Sequence, residues 1–294
     1  MKTEPHTTAR HGHLVIIGGG EDRKDDKQIL ARFVELAGGP GAKVVVITAA
    51  SQIAAEMWEM YDRAFDDLGV KRRVHLDLHS RQQANDEDHI RDLLDADGIF
   101  MTGGDQKRLL ALIGGTALDA EMHTALKLRG ACIGGTSAGA SAMSGHMLAQ
   151  GRAQLQPEKG LVSLGAGLGF LHKVVIDQHF SERQRLSRLL SVVAQNPYLL
   201  GIGIDEDTAL VVERGVGIEV VGEGAVTIVD GRTMLTNVAD IAERDTPELI
   251  DVRLHLLPAG SKYRLPGDGE DPGSRLPSPL LHFLENVTKR NPIS

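Results

Sequence analysis

Gly135-Thr136-Ser137-Ala138-Gly139 sets a serine among small residues, where the apolar run Arg129 to Gly135 passes into TSAGASAMSG. This is the G-x-S-x-G pattern of a strand-to-helix elbow, which holds a hydroxyl out at the carboxyl end of a sheet. A serine hydroxyl is a poor nucleophile at neutral pH and needs a base that takes its proton and returns it to the leaving group. Asp177-Gln178-His179-Phe180 offers one, because His179 closes the apolar run Val174 to Ile176 and so stands where another strand meets a loop. Taken singly, the first pattern is also a plain small-residue turn and the second a packed histidine. Together they describe acyl transfer through Ser137 with His179 as general base, and the Ala138 N–H at the helix start faces a developing oxyanion.

Two further groups surround this pair. Arg183, Arg185 and Arg188 follow His179 in SERQRLSRLL. Read as helical, 185 and 188 share a face with 183 near the start, so guanidinium groups suited to carboxylates reach the site, or else form a solvated basic face. Gly103-Gly104-Asp105-Gln106 ends another apolar run, so Gly104 offers a second oxyanion N–H and Gln106 a substrate hydrogen bond. Helix capping by Asp105 explains the same residues. Gly18-Gly19-Gly20 lacks the dinucleotide spacing, since Arg23 stands at the last glycine position, and reads as a tight turn. Cys132, the single cysteine, reads as a small core residue and rules out an internal disulfide.

These groups need strands that bring them to one edge. Leu14 to Ile17, Lys43 to Ser51, Val74 to Leu78, Gly98 to Gly104 and Arg129 to Gly135 are short apolar runs alternating with amphipathic helical patterns such as QILARFVELA, closed by Gly38 and Gly39. That alternation predicts βαβ units and a three-layer α/β fold, its mostly parallel sheet flanked by helices. After the helix expected over SERQRLSRLLSVVAQN, the segment GIGIDEDTALVVERGVGIEVVGEGAVTIVDG has short runs with glycine turns. It predicts a C-terminal β-meander, joined by Asp251 to Leu257. Residues 1–12 read as a flexible tail, 258–278 as an exposed Pro/Gly-rich loop, and the whole of 1–294 as a single domain.

At 294 residues and 41% hydrophobic content the chain has the material for a proper core. A net charge of −8 with 3% aromatics argues against nucleic-acid binding. No run approaches the length of about twenty apolar residues that spans a membrane, and the polar, basic start lacks the apolar core of a signal peptide, so a cytoplasmic protein is expected. No histidine pair has a recognisable metal-ligand spacing.

GGGEDR, FMTGGDQ, GGTSAGA, IDQHFSERQRL and GIGIDEDTAL, in this order and spacing, resemble the motifs of cyanophycinases, relatives of the aspartyl dipeptidase family of serine peptidases. The resemblance implies a class I amidotransferase-like or flavodoxin-like fold and a homodimer without metal or organic cofactor. It also implies an exopeptidase that releases β-Asp-Arg dipeptides from cyanophycin, a poly-aspartate with arginine on each side-chain carboxyl. Position by position, Ser137 matches the nucleophile and His179 the base. Gln106, Asp177, Gln178, Arg183, Arg185 and Arg188 match the substrate pocket, with Asp177 read as holding the substrate guanidinium and the arginines its carboxylates. The third catalytic member falls on Gln154, where a glutamate is expected, with Glu158 and Glu206 as alternatives. A small-peptide aspartyl or isoaspartyl dipeptidase and a non-catalytic ligand-binding module of the same fold are the rival readings.

Overall fold

A computed structural model describes residues 12–266 and 276–289. The tail expected over 1–12 lies outside the described residues except for Gly12, as do positions 267–275 of the expected 258–278 loop.

The chain opens with β1 (His13–Ile17), whose side chains alternate between two cores, Leu14 and Ile16 on one face and Val15 and Ile17 on the other. Next come α1 (Gln28–Ala37), closed by Gly38, β2 (Lys43–Ile47), α2 (Ala54–Asp67), β3 (Arg72–Leu76), α3 (Glu87–Leu94) and β4 (Gly98–Met101). Then follow α4 (Gln106–Ile113), α5 (Ala117–Thr124), β5 (Cys132–Thr136) and the short α6 (Ala138–Ala142). β2, β4 and β5 are buried at every position, which is why they read as unbroken apolar runs. β3, with Arg72 and Arg73, occupies the sheet edge.

The second half contributes the hairpin β6 (His146–Gly151) and β7 (Val162–Ala166), then β8 (Val174–Gln178), α7 (Leu186–Gln195) and β9 (Leu200–Ile204). After these come β10 (Thr208–Glu213), β11 (Gly217–Gly222), β12 (Ala225–Asp230), the two-residue strands β13 (Leu235–Thr236) and β14 (Leu249–Ile250), β15 (Arg253–Pro258), β16 (Lys262–Arg264) and α8 (Ser278–Thr288).

An eight-stranded sheet runs β16-β11-β10-β1-β5-β4-β2-β3, parallel from β1 to β3 and antiparallel beyond. A four-stranded sheet runs β15-β12-β9-β8. The C-terminal meander expected from the glycine-punctuated runs is therefore divided. β10 and β11 extend the large sheet, while β9 and β12 pair in the small one, and β15 joins β12 as the sequence predicts. α1 and α2 cover one face of the large sheet with Ile29, Phe33, Tyr61 and Phe65. The other face packs on α3, α4, α5 and α8 and on the small sheet in one continuous cluster, from Leu14 and Ile133 through Met143 to Ile176, Ile202 and Ile204. The carboxyl ends of β1, β4 and β5 meet those of β8 and β9 at one rim, and the candidate residues lie there.

Candidate active site

Ser137 follows β5 directly and sits at φ 51, ψ −109, a conformation that costs an L-residue of order 1–3 kcal/mol and persists only when its surroundings fix it. Its N–H donates to the Ile17 carbonyl at 3.0 Å, tying the elbow to β1. The small neighbours are a packing requirement. A Cβ on Gly135 would stand 2.7 Å from the Gly139 backbone, and one on Gly139 would overlap the Met101 carbonyl. With α6 this close to β4 and β5, the Ser137 side chain emerges half-buried at the rim.

His179 leaves β8 at φ 49, with its N–H donating to the Gly18 carbonyl at 2.8 Å. The Ser137 hydroxyl donates to its Nε2 at 2.9 Å. On the other side of the ring, Nδ1–H donates to Glu206 Oε1 at 2.6 Å, which fixes the tautomer that leaves Nε2 free to accept. Gly19, at φ 99, lies against the imidazole so closely that a Cβ there would overlap the ring. Of the acid candidates Gln154, Glu158 and Glu206, it is thus Glu206 that meets the histidine. Gln154 and Glu158 lie in the segment between β6 and β7, where the Gln154 carbonyl accepts from Ser187 Oγ and the Glu158 N–H donates to Ser191 Oγ at 3.0 Å. Neither has a hydrogen bond to His179.

The residues flanking Glu206 hold it in register. Asp205 accepts from the N–H and hydroxyl of Ser181 at 3.1 and 2.5 Å and from the Ala225 N–H at 3.0 Å, fastening the loop after the base. Asp207 Oδ1 accepts from the Asp22 N–H at 3.0 Å, fastening the glycine turn after β1. Sequence reasoning missed Asp205, Asp207 and also Glu21, which is buried and accepts from Thr136 Oγ1 at 2.5 Å and from the Tyr61 hydroxyl. The signal available was charge density inside otherwise apolar or glycine-rich motifs, GGGEDR and GIGIDEDTAL.

Burial pushes the His179 imidazole below its ordinary value, and the nearby Arg183 and Arg185 guanidinium groups add to that, while the Glu206 carboxylate opposes them. The ring is therefore neutral at neutral pH, the state a base requires. Gly103 borders the serine, since a Cβ on it would stand 3.5 Å from Ser137 Cβ, and Gly104 turns beside it at φ 145. Among the described residues neither the Gly104 nor the Ala138 N–H has a hydrogen-bond acceptor, so both are free at this rim. Asp105 caps α4, accepting from Lys107 N–H at 2.8 Å and Arg108 N–H at 3.3 Å, and Gln106 Nε2 donates to the Leu148 carbonyl at 3.1 Å.

The expected substrate pocket is divided. Asp177 is fully buried and its carboxylate already carries the chain's own arginines: Arg188 through Nε at 2.8 Å and through Nη2, and Arg185 through Nη1 at 3.3 Å. It is not disposed to hold a substrate guanidinium, because its acceptor positions are filled inside the protein. Arg188 is itself buried and also donates to the Gly151 carbonyl at 2.7 Å. Arg185 donates to the Gln178 carbonyl as well, and burial pushes its guanidinium down to about 10, still charged at neutral pH. Gln178 Oε1 accepts from Ser141 Oγ at 2.7 Å. Arg183 differs: it is exposed, its N–H donates to the His179 carbonyl at 3.2 Å while its guanidinium has no hydrogen bond or ion pair among the described residues, and with Glu182, Gln184, Ala153, Gln154 and Leu155 it lines a cleft of about 340 Å³. The helix expected from Ser181 starts only at Leu186, because Gln184 takes φ 50 and breaks it, so Arg183 lies in a turn next to the base.

Among the described residues no group of three or more His, Cys, Asp or Glu side chains is placed to hold a metal, and no helix is long and apolar enough to cross a membrane. Burial raises the Cys132 thiol far above its ordinary value, consistent with a core residue.

Comparison with known proteins agrees with this architecture. The family model for peptidase family S51 matches residues 14–220. A cyanophycinase of Geminocystis herdmanii is 42% identical over 251 residues, covering 85% of this chain and 92% of that protein, and one of Trichormus variabilis is 37% identical over 254 residues, covering 86% and 85%. In fold, the chain is similar to a peptidase from an acI-B1 actinobacterium, with TM-score 0.65 and 24% identity over 87% of this chain and 98% of that one. The likeness extends to a putative peptidase E of Listeria monocytogenes, with TM-score 0.51 and 19% identity over 72% and 98%. With its serine elbow, its neutral histidine and a family model that spans most of the chain, this protein belongs to peptidase family S51 and is a serine-type peptidase.

Proposed function

We propose that the chain is a cyanophycin-degrading exopeptidase that releases β-Asp-Arg dipeptides through an acyl-enzyme on Ser137. The observation that carries the reading is the continuous relay from Ser137 Oγ through His179 to Glu206, at 2.9 and 2.6 Å, in a chain related over most of its length to cyanophycinases. In this reading Ser137 attacks the scissile carbonyl as His179 Nε2 takes its proton, and Glu206 steadies the imidazolium that forms. The Gly104 and Ala138 N–H groups receive the oxyanion. The imidazolium then protonates the leaving amine, and a water activated by the same base releases the acyl group.

Arg183 is assigned to a substrate carboxylate, because it is the member of the arginine group whose guanidinium has no hydrogen bond or ion pair among the described residues. Arg185, Arg188, Asp177 and Gln178 are assigned to building the wall behind it, and Gln106 to the rim beside Gly104. No metal or organic cofactor enters the mechanism. The protein is further proposed to act as a cytoplasmic homodimer whose protomer is a single hydrolase domain.

The test is dipeptide release from purified cyanophycin, followed by mass spectrometry for the wild-type chain and Ser137→Ala. Release that vanishes in a folded Ser137→Ala variant supports both substrate and nucleophile. Release at an unchanged rate removes Ser137 from the mechanism. No release from intact polymer by the wild type, with turnover of free isoaspartyl dipeptides, reassigns the chain to small peptides.

A further inference from the structure

Next to the elbow, between Thr136 and Tyr61, lies a buried acid that the mechanism above does not use. Glu21 is 2% exposed, and its carboxylate is enclosed by two hydroxyl donors, Thr136 Oγ1 at 2.5 Å and the fully buried Tyr61. Arg23 reaches Tyr61 from the surface side, with its Nη1 donating to the phenol oxygen at 3.5 Å and its guanidinium 5.6 Å from the ring centre. A buried carboxylate is costly unless its oxygens are hydrogen-bonded, and bonds to an ionised acceptor are roughly twice as strong as neutral ones. The chain Arg23–Tyr61–Glu21–Thr136 supplies those bonds and ends one residue before Ser137.

We propose that Glu21 is a positioning residue of the nucleophile: through Thr136 it holds the strained Ser137 backbone in the conformation that aims Oγ at His179. The proposal rests on the serine reading above. Its physical ground is that an elbow at φ 51 relaxes unless the flanking residues are over-determined. The Ser137 N–H is fixed by Ile17 and its carbonyl by the Ser141 N–H, both at 3.0 Å, and the Glu21 bond fixes the preceding side chain. The same turn that carries Glu21 carries Gly18 and Gly19, which hold the backbone and ring of His179. One short segment thus registers the nucleophile against its base. The carboxylate matters as a charge, because both hydroxyls donate to it. In the amide of Glu21→Gln, the NH2 group cannot accept, and one donor must turn away.

The experiment compares wild type, Thr136→Val, Thr136→Ser and Glu21→Gln by the rate at which a fluorophosphonate labels Ser137, and by kcat and KM for dipeptide release, with circular dichroism to establish folding. Thr136→Val and Glu21→Gln are expected to lower the labelling rate and kcat by about tenfold or more with KM nearly unchanged, since the lost bond is charge-assisted and falls on the reacting geometry. Thr136→Ser, which returns the hydroxyl, restores most of the rate. If Glu21→Gln does not fold, the Thr136 pair carries the test, because it leaves Glu21 and its Tyr61 bond in place. Labelling of folded Thr136→Val at the wild-type rate, or a loss confined to KM, overturns the proposal. A wild-type chain that fluorophosphonate does not label at Ser137 overturns the serine reading itself, and with it the proposal.

Discussion

Replacing Glu206 by glutamine keeps the size and the acceptor oxygen opposite His179 Nδ1 but removes the charge that stabilises the imidazolium. Unit charges held at hydrogen-bond distance, about 4 Å between charge centres, interact by about 4 kcal/mol in a surface-like dielectric. The Glu206 side chain is 40% exposed, so water takes part of that energy, and about 2–3 kcal/mol remains to act in the transition state. The expected loss in kcat is therefore roughly 30- to 150-fold, with KM little changed because Glu206 faces the base and not the cleft. A second signature follows from sign. His179 works as a base only when neutral, so activity falls as pH drops through its folded-state value, already below the ordinary 6.5. Glu206 is an influence that raises that value, so its loss moves the acid limb to still lower pH. Initial rates of dipeptide release across a pH series, on folded wild type, Glu206→Gln and Glu158→Gln, read both effects. A Glu206→Gln enzyme with unchanged kcat and an unmoved acid limb, beside a Glu158→Gln enzyme that has lost activity, would refute the reasoning.

Arg183→Ala is expected to raise KM for the dipeptide-bearing substrate by about tenfold or more, the worth of a charge-assisted bond to a carboxylate, and to move the acid limb of kcat/KM upward, because the guanidinium helps to lower His179. Steady-state kinetics with unchanged KM and an unmoved limb would remove it from the pocket. Arg188→Ala should instead act on stability: it strips two hydrogen bonds from the fully buried Asp177 and leaves only the longer Arg185 contact. The expected cost is about 3 kcal/mol in urea unfolding, the low end for breaking a buried pair, and a midpoint equal to wild type would refute it.

The parallel strands were legible because both of their faces are covered, so residues 44–47 and Cys132–Thr136 show as unbroken runs of small and apolar residues. The elbow and the base were legible for a related reason, since each ends such a run. Glu206 was legible only as one of three candidate acids, because it lies 27 residues from the histidine at the end of the neighbouring strand β9, and spacing alone does not say which acid reaches the ring. Asp177 was misassigned as a ligand for a guanidinium. It sits on a strand buried at all five positions, where an acid must find its partners inside the protein, and Arg185 and Arg188 are those partners. The arginines were expected on one helix, and a single left-handed residue, Gln184, delays that helix to Leu186, so that only Arg188 lies within it, Arg185 stands at its cap and Arg183 is left in the preceding turn. The division of the C-terminal strands between sheets is a matter of which distant strand each one pairs with, which period-two patterning does not encode.

The nucleophile and its base are carried by different sheets, Ser137 by the eight-stranded one after β5 and His179 by the four-stranded one after β8. Their hydrogen bond is therefore a gauge of how two slabs are aligned. A slip of an ångström between them opens the gap while every strand ladder stays intact. Besides the turn after β1, which bonds to His179, the material between the slabs is the shared core of Ile133, Met143, Ile176, Ile202 and Ile204, none of which takes part in the reaction. Substitutions that alter volume in that layer should adjust catalytic rate like a shim under a machine bed, and on warming the slabs should lose their alignment, and the enzyme its activity, before either slab melts.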